Sequence, residues 1–480
     1  MVSRKSLPFV FMIAASLSLL LITFERLASW STSKDQPYHA TTALPADPPP
    51  LPRTRDPLCA GFPDTRGILL IMKTGASEAF ARLPTQQLTA LRCVADDVVV
   101  YSDMAQRVAG WDVRDGLADV LPEVRDQHAD FDLYHRQQAC DVDQDACVRQ
   151  RGDSQATAAA GWGLDKYKNI HVAEHVWRER PGYDWYVFVD ADTYVLWAGL
   201  AAWLRRLDHR DDHYLGSVAL INNFPFGHGG SGYVLSAATM ENFVGKNPGI
   251  ANLWDSRTTN ECCGDYVLAK AIKDMINVDV TQTWPTINGE KPTTMPYGPT
   301  HWCQPIVTMH HMNSEEISTF WDWEQRRGPG APPVRMRDMY AAHVAPKLRA
   351  RRDDWDNVSE DRYYVDRERQ WDSYHQLRAK LGEPLSEVEA AAHRGPDECE
   401  RACESLPGEE CFQWRWRDGL CSVRGSFTLG WPVKRPENEA ERLTSGWMIA
   451  RIKQWIEAQG ECGEMEWPAV EDPDATGQTG

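Results

Sequence analysis

Apolar residues in this chain come as short unbroken runs divided by polar turns, and the runs predict the fold. Gly67–Met72 is a continuous apolar stretch ending in Lys73-Thr74-Gly75, and Asp97–Tyr101 is a second one ending in Ser102-Asp103. A helical pattern, Leu83 to Cys93, lies between them. Strands buried on both faces show no polar alternation, and strand–helix–strand order predicts a parallel sheet. Gly163 to Arg180 reads as an amphipathic helix, with Tyr167, Ile170 and Val176 set between charges. It leads into Trp185–Val189, a third buried strand that ends at Asp190-Ala191-Asp192. A helix over Ala198–Leu207, a strand over Leu215–Leu220 and a helix over Tyr266–Ile272 complete the α/β pattern.

The two carboxylates at the end of the third run carry the first chemical signal. In an extended chain residues i and i+2 share a face, so Asp190 and Asp192 are expected to point at one object beyond the strand end. Ligands of open α/β sheets bind at that end. Hard oxygen anions there suit a divalent cation that also holds a nucleotide diphosphate. Thr74 and Asp103, at the ends of the first two strands, are expected to approach the nucleotide or to cap the helices that follow. Downstream, Phe226-Gly227-His228-Gly229-Gly230-Ser231-Gly232 is dense in glycine, which permits close backbone approach. No Gly-Lys-Ser/Thr follows, so it is not a P-loop.

Before these elements, Leu7 to Phe24 is an 18-residue stretch without charge behind Arg4 and Lys5. It would span ~27 Å, close to a thin bilayer, and the basic flank places residues 1–6 in the cytoplasm. With no small-x-small site at its end, it reads as a retained anchor over 7–24 rather than a cleaved signal. Residues 25–57 follow as a Pro-rich stem, including Pro48-Pro49-Pro50-Leu51-Pro52. All 12 cysteines lie beyond the stem, as expected for disulfides in an oxidising lumen. Cys140–Cys147 is the pair that proximity suggests. Asn357-Val358-Ser359 is a lone glycosylation sequon. The net charge of -18 leaves no basic face for nucleic acid.

The order of motifs is the most specific feature. Asp190-Ala191-Asp192-Thr193-Tyr194-Val195, Gly229-Gly230-Ser231-Gly232-Tyr233-Val234-Leu235-Ser236, Cys262-Cys263-Gly264-Asp265 and His310-His311 follow one another as in family 31 glycosyltransferases. The chain resembles the core 1 β-1,3-galactosyltransferases and Fringe-like enzymes of fungal type over roughly residues 60 to 345. That resemblance implies a GT-A fold, Rossmann-like with a mixed sheet, over residues 58–345. It implies a UDP-sugar donor (galactose, or N-acetylglucosamine as in Fringe) and inverting β-1,3 transfer to a glycan or glycoprotein acceptor. Asp190, Asp192 and His310 match the metal-binding positions, with His311 as the neighbouring candidate, and Asp190, Gly229 and Gly230 would meet the donor. Imidazole beside carboxylate favours Mn²⁺ over Mg²⁺. Asp265 matches the residue that deprotonates the acceptor hydroxyl; by its place alone it is an N-cap. Trp284 and Trp302 are candidates for stacking on sugar.

Residues 346–392 read as a charged helical connector. Over 393–465, Cys399-x3-Cys403-x7-Cys411-x9-Cys421 resembles a small disulfide-stapled α+β Apple/PAN module, which implies the pairs 399–421 and 403–411. Lacking a CxxC pair or histidine ligands, it is not a zinc site. Residues 466–480 read as a disordered tail. The resulting expectation is a single-pass type II protein of the Golgi or ER membrane. A homodimer is left open, and a catalytically silent tethered lectin is the reading from another class.

Overall fold

In the computed structural model, residues 56–149, 154–379 and 384–470 are described. The anchor, nearly all of the stem, and the tail from 471 lie outside them. Among the described residues no helix is long and apolar enough to cross a membrane.

The first apolar run is β1 (Ile68–Lys73), buried along its whole length. It lies between β2 (Val98–Ser102) and β5 (Trp185–Asp190), parallel to both. The hairpin of β3 (Gln106–Val108) and β4 (Trp111–Asp115) extends one side. The other side carries β10 (Tyr233–Ser236), antiparallel to β5, then β7 (Tyr214–Gly216) and β11 (Thr281–Gln282). The order β11-β7-β10-β5-β1-β2-β4-β3 makes a mixed eight-stranded sheet.

Strand alternation divides the core in two. Ile68, Leu70, Met72, Trp185, Val187 and Val189 face one layer, with Ala79 and Leu83 of helix α1 (Ala79–Leu88). Leu69, Ile71, Tyr186 and Phe188 face the other, under helix α2 (Ser154–Glu179) and helix α3 (Gly264–Ile276). Both faces are covered, which is why these strands read as unbroken apolar runs.

All 12 cysteines are paired: 59–93, 140–147, 262–263, 303–462, 399–421 and 403–411. The proximity pair and the two nested pairs of residues 393–465 are among them.

The stretch after 346 is only in part the helical connector expected of it, with short helices at Ser373–Arg378 and Glu387–Ala391. It supplies β13 (Arg351–Asp353), β14 (Trp355–Asp356) and β15 (Arg362–Val365). β13 and β15 flank a five-stranded antiparallel sheet with β16 (Gln413–Arg417), β17 (Leu420–Arg424) and β19 (Thr444–Trp447). Edge strands tolerate charged side chains, so the charge of 351–365 marked sheet edges rather than a linker. Nor does residue 393–465 pack alone. Phe412, Phe427, Trp447, Ile452 and Trp455 share a core with Tyr297, Trp302 and Tyr340. Tyr297 and Phe427 exchange backbone hydrogen bonds of 2.9 and 2.8 Å, and Cys303–Cys462 crosses the same junction. Trp302 is therefore a core residue, its ring 5.3 Å from that of Trp455, not a sugar platform.

The sequon is closed as well. Asn357 is 0% exposed, and its Nδ2 donates to the carbonyls of Trp414 and Gly446. No glycan fits there in the folded chain.

Candidate functional site

The Asp190–Asp192 segment is a turn, not a continued strand. The Thr193 N–H donates to the Asp190 carbonyl at 2.9 Å, the i to i+3 bond of a β-turn. The amide of Gln86, buried on α1, donates to the carbonyls of Ala191 and Thr193 at 2.9 and 3.0 Å and fixes that turn. The strand's two-residue period ends at Asp190, so the two carboxylates diverge.

Asp190 turns to Lys73, its register partner on β1, with Nζ 3.3 Å from Oδ1. Lys73 is only 4% exposed and also meets Asp165 of α2 at 2.9 Å. Burial opposes its charge, but Asp165, Asp190 and Asp265 outweigh burial and raise its pKa well above the ordinary lysine value. Asp103 accepts from the Ala76 N–H at 2.6 Å and lies 3.7 Å from Lys168. Thr74 sits beside it, its carbonyl accepting from Lys168 at 3.1 Å. Both stand at the strand ends, with the Asp103 carboxylate engaged by backbone and lysine.

Asp192 turns the other way. Its Oδ1 is 3.2 Å from His310 Nε2 and its Oδ2 is 3.6 Å from Arg82. Burial works against its charge, but the contact with His310 and the nearby Arg82 and His311 hold its pKa below the usual carboxylate value. A short ladder brings the histidine here: β6 (Tyr194–Val195) pairs with β12 (Thr308–Met309). The Met312 N–H then donates to the Asp192 carbonyl at 2.9 Å. One donor atom from each of Asp192, His310 and His311 lies within 4.8 Å of the others. His310 Nδ1 is buried with no hydrogen-bond partner among the described residues. Two imidazoles and a carboxylate are a donor set for a borderline divalent cation such as Mn²⁺, and the residues fit one. Asp190 stands outside this group, and His311, left as an alternative by the sequence, stands inside it.

The glycine loop closes over the same point. The Thr193 hydroxyl donates to the Gly230 carbonyl at 2.7 Å, and His310 lies against the face of Gly230 where a side chain would be. The Gly229 N–H donates to Asp265 Oδ2 at 2.7 Å, and the Tyr266 N–H to Oδ1 at 2.8 Å. Asp265 is in the first turn of α3, whose N-cap is Cys263. Burial, opposed by the Gly229 amide and by Lys73, pushes its carboxyl above the ordinary pKa. His228 is held by Ser231, with Nδ1 2.8 Å from the hydroxyl.

Lys73, Gln86 and Asp165 were missed in the sequence. Each is polar within an apolar or helical run, a signal that marks a buried polar network without saying what it serves.

Residues 127–285 match the family model described as Fringe-like, which supports a glycosyltransferase acting on glycans. The matched segment, roughly a third of the chain, holds Asp190, Asp192, Gly229, Gly230 and Asp265 and stops short of His310 and His311. No curated protein sequence matches the chain.

Proposed function

We propose that this chain is an inverting, Mn²⁺-dependent β-1,3-glycosyltransferase that moves galactose from a UDP-sugar to a glycan acceptor such as O-linked N-acetylgalactosamine. The observation that carries the reading is the bracket around Gly229-Gly230. Asp265 binds one glycine and His310, beside Asp192, lies against the other. A base and a cation-binding group thus stand on either side of one open backbone.

The ion held by Asp192 and His310 would neutralise the diphosphate leaving group. Asp265 takes the proton of the attacking acceptor hydroxyl, and its raised pKa makes it a stronger base than a solvated carboxylate. Lys73 fixes Asp190 at the strand end on the donor side, and Thr74 and Asp103 line the neighbouring ends where the nucleotide would lie. In the same reading the protein is a type II membrane protein of the Golgi or ER, anchored by residues 7–24. Six disulfides suit that compartment. The Apple/PAN-like part would contact a glycoprotein acceptor.

The Fringe-like match favours one second reading, with N-acetylglucosamine as the donated sugar. A panel of UDP-sugars against glycan acceptors, with product linkage and anomeric configuration read by NMR, separates the two. A β-linked galactosyl product supports the first reading. An α-linked product from an α-configured donor would contradict inversion and remove Asp265 as the base.

A further inference from the structure

His310 and His311 are adjacent, and in an extended chain adjacent side chains leave on opposite faces. Here they do not. His311 has φ of 59°, in the left-handed region, which is strained for a residue with a Cβ and persists only where its surroundings fix it. The surroundings do so on both sides. Thr308 and Met309 are paired with Val195 and Tyr194 before the histidines, and Met312 is bonded to the Asp192 carbonyl after them. The result is two rings 3.9 Å apart, tilted by 32°, both presented to Asp192.

We infer that His311 is a third protein ligand, completing with Asp192 and His310 a two-histidine, one-carboxylate centre that selects a borderline divalent cation over Mg²⁺ and Ca²⁺. This rests on the metal-dependent reading above and specifies its donor set. Donors on one ion at ~2.1 Å stand about 3–4 Å apart, so the three atoms need only a small side-chain adjustment from their present spread of up to 4.8 Å. His228 is not the second imidazole: it lies outside the group formed by Asp192, His310 and His311, and its Nδ1 accepts from the Ser231 N–H, which leaves the proton of the neutral ring on Nε2. The side-chain-free face of Gly230 leaves room for the His310 ring, whose buried Nδ1 has no hydrogen-bond partner among the described residues. Nitrogen ligands discriminate against Mg²⁺ and Ca²⁺, which take oxygen.

The test uses the full chain, stripped of metal and reloaded with Mn²⁺. Pulsed electron paramagnetic resonance counts the nitrogens coupled to the ion, and titration calorimetry gives affinities for Mn²⁺ and Mg²⁺. The expectation is two coupled nitrogens in the unaltered protein and one in His311→Asn, with Mn²⁺ affinity reduced about tenfold or more and Mg²⁺ affinity nearly unchanged. Asn tolerates the left-handed conformation, and circular dichroism checks that the variant folds. A single coupled nitrogen in the unaltered protein, with Mn²⁺-dependent transfer intact, would overturn the inference and leave the transferase reading standing. Failure to bind Mn²⁺ at all would overturn both.

Discussion

A side chain at Gly230 would place its Cβ 2.2 Å from Cε1 of His310 and 2.6 Å from its Nε2. The glycine thus makes room for the His310 ring, and the ring cannot retreat easily because Asp192 holds its Nε2. Gly230→Ala is expected to displace His310, with a stability loss of about 1–3 kcal/mol from overpacking. Mn²⁺ binding should fall far more than stability does. Calorimetric titration beside a urea melt checks it, and unchanged Mn²⁺ affinity would show that His310 is not a ligand.

Asp192→Ala should abolish transfer and leave the fold intact. Among the described residues its carboxylate forms ion pairs with His310 and Arg82 at the rim of the core, so little packing depends on it. Turnover retained in saturating Mn²⁺ by a folded variant would remove the assignment.

Asp265→Asn should bind donor and metal normally and lose transfer by ~10²–10⁴-fold, the usual worth of a general base. One of its two backbone donors then faces an NH₂ group, a cost of about 1–3 kcal/mol in stability. The pH profile carries the sign. The base works deprotonated, so activity falls as pH drops through a pKa that burial has raised, and the acid limb lies above the ordinary carboxylate range. A limb at the ordinary range would indicate a solvated carboxylate elsewhere.

Much of this arrangement was legible in the sequence, and the exceptions have physical causes. Trp185–Val189 could be read as a strand because both of its faces are covered. The direction of its two carboxylates could not, because the Asp190–Thr193 turn is fixed by Gln86, a residue more than a hundred positions upstream. His310 was recognisable only through the order of motifs, since a two-residue ladder brings it to Asp192. The same order left His311 ambiguous because a backbone φ is not visible in a His-His pair. Arg351-Arg352-Asp353 looked like linker because edge strands and linkers are charged alike.

A chain ending near Pro384 looks viable from the spacing of its cysteines, yet it would uncover Trp302, Tyr297 and Tyr340 and leave Cys303 without Cys462. We expect it to aggregate. Trp455→Ala in the full chain should cost about 3–5 kcal/mol, as for other buried large-to-small changes, and denaturant unfolding measures it. A soluble, two-state truncated chain would show that the shared core is dispensable.

The most direct test of the central claim is UDP release by the full chain, given a UDP-sugar and a glycan acceptor, with Mn²⁺ or with a chelator, beside Asp192→Ala and Asp265→Asn. The account predicts acceptor-dependent release that needs Mn²⁺, is absent in Asp192→Ala and falls at least a hundredfold in Asp265→Asn. Release that survives chelation, or that both folded variants support at the unaltered rate, would contradict it.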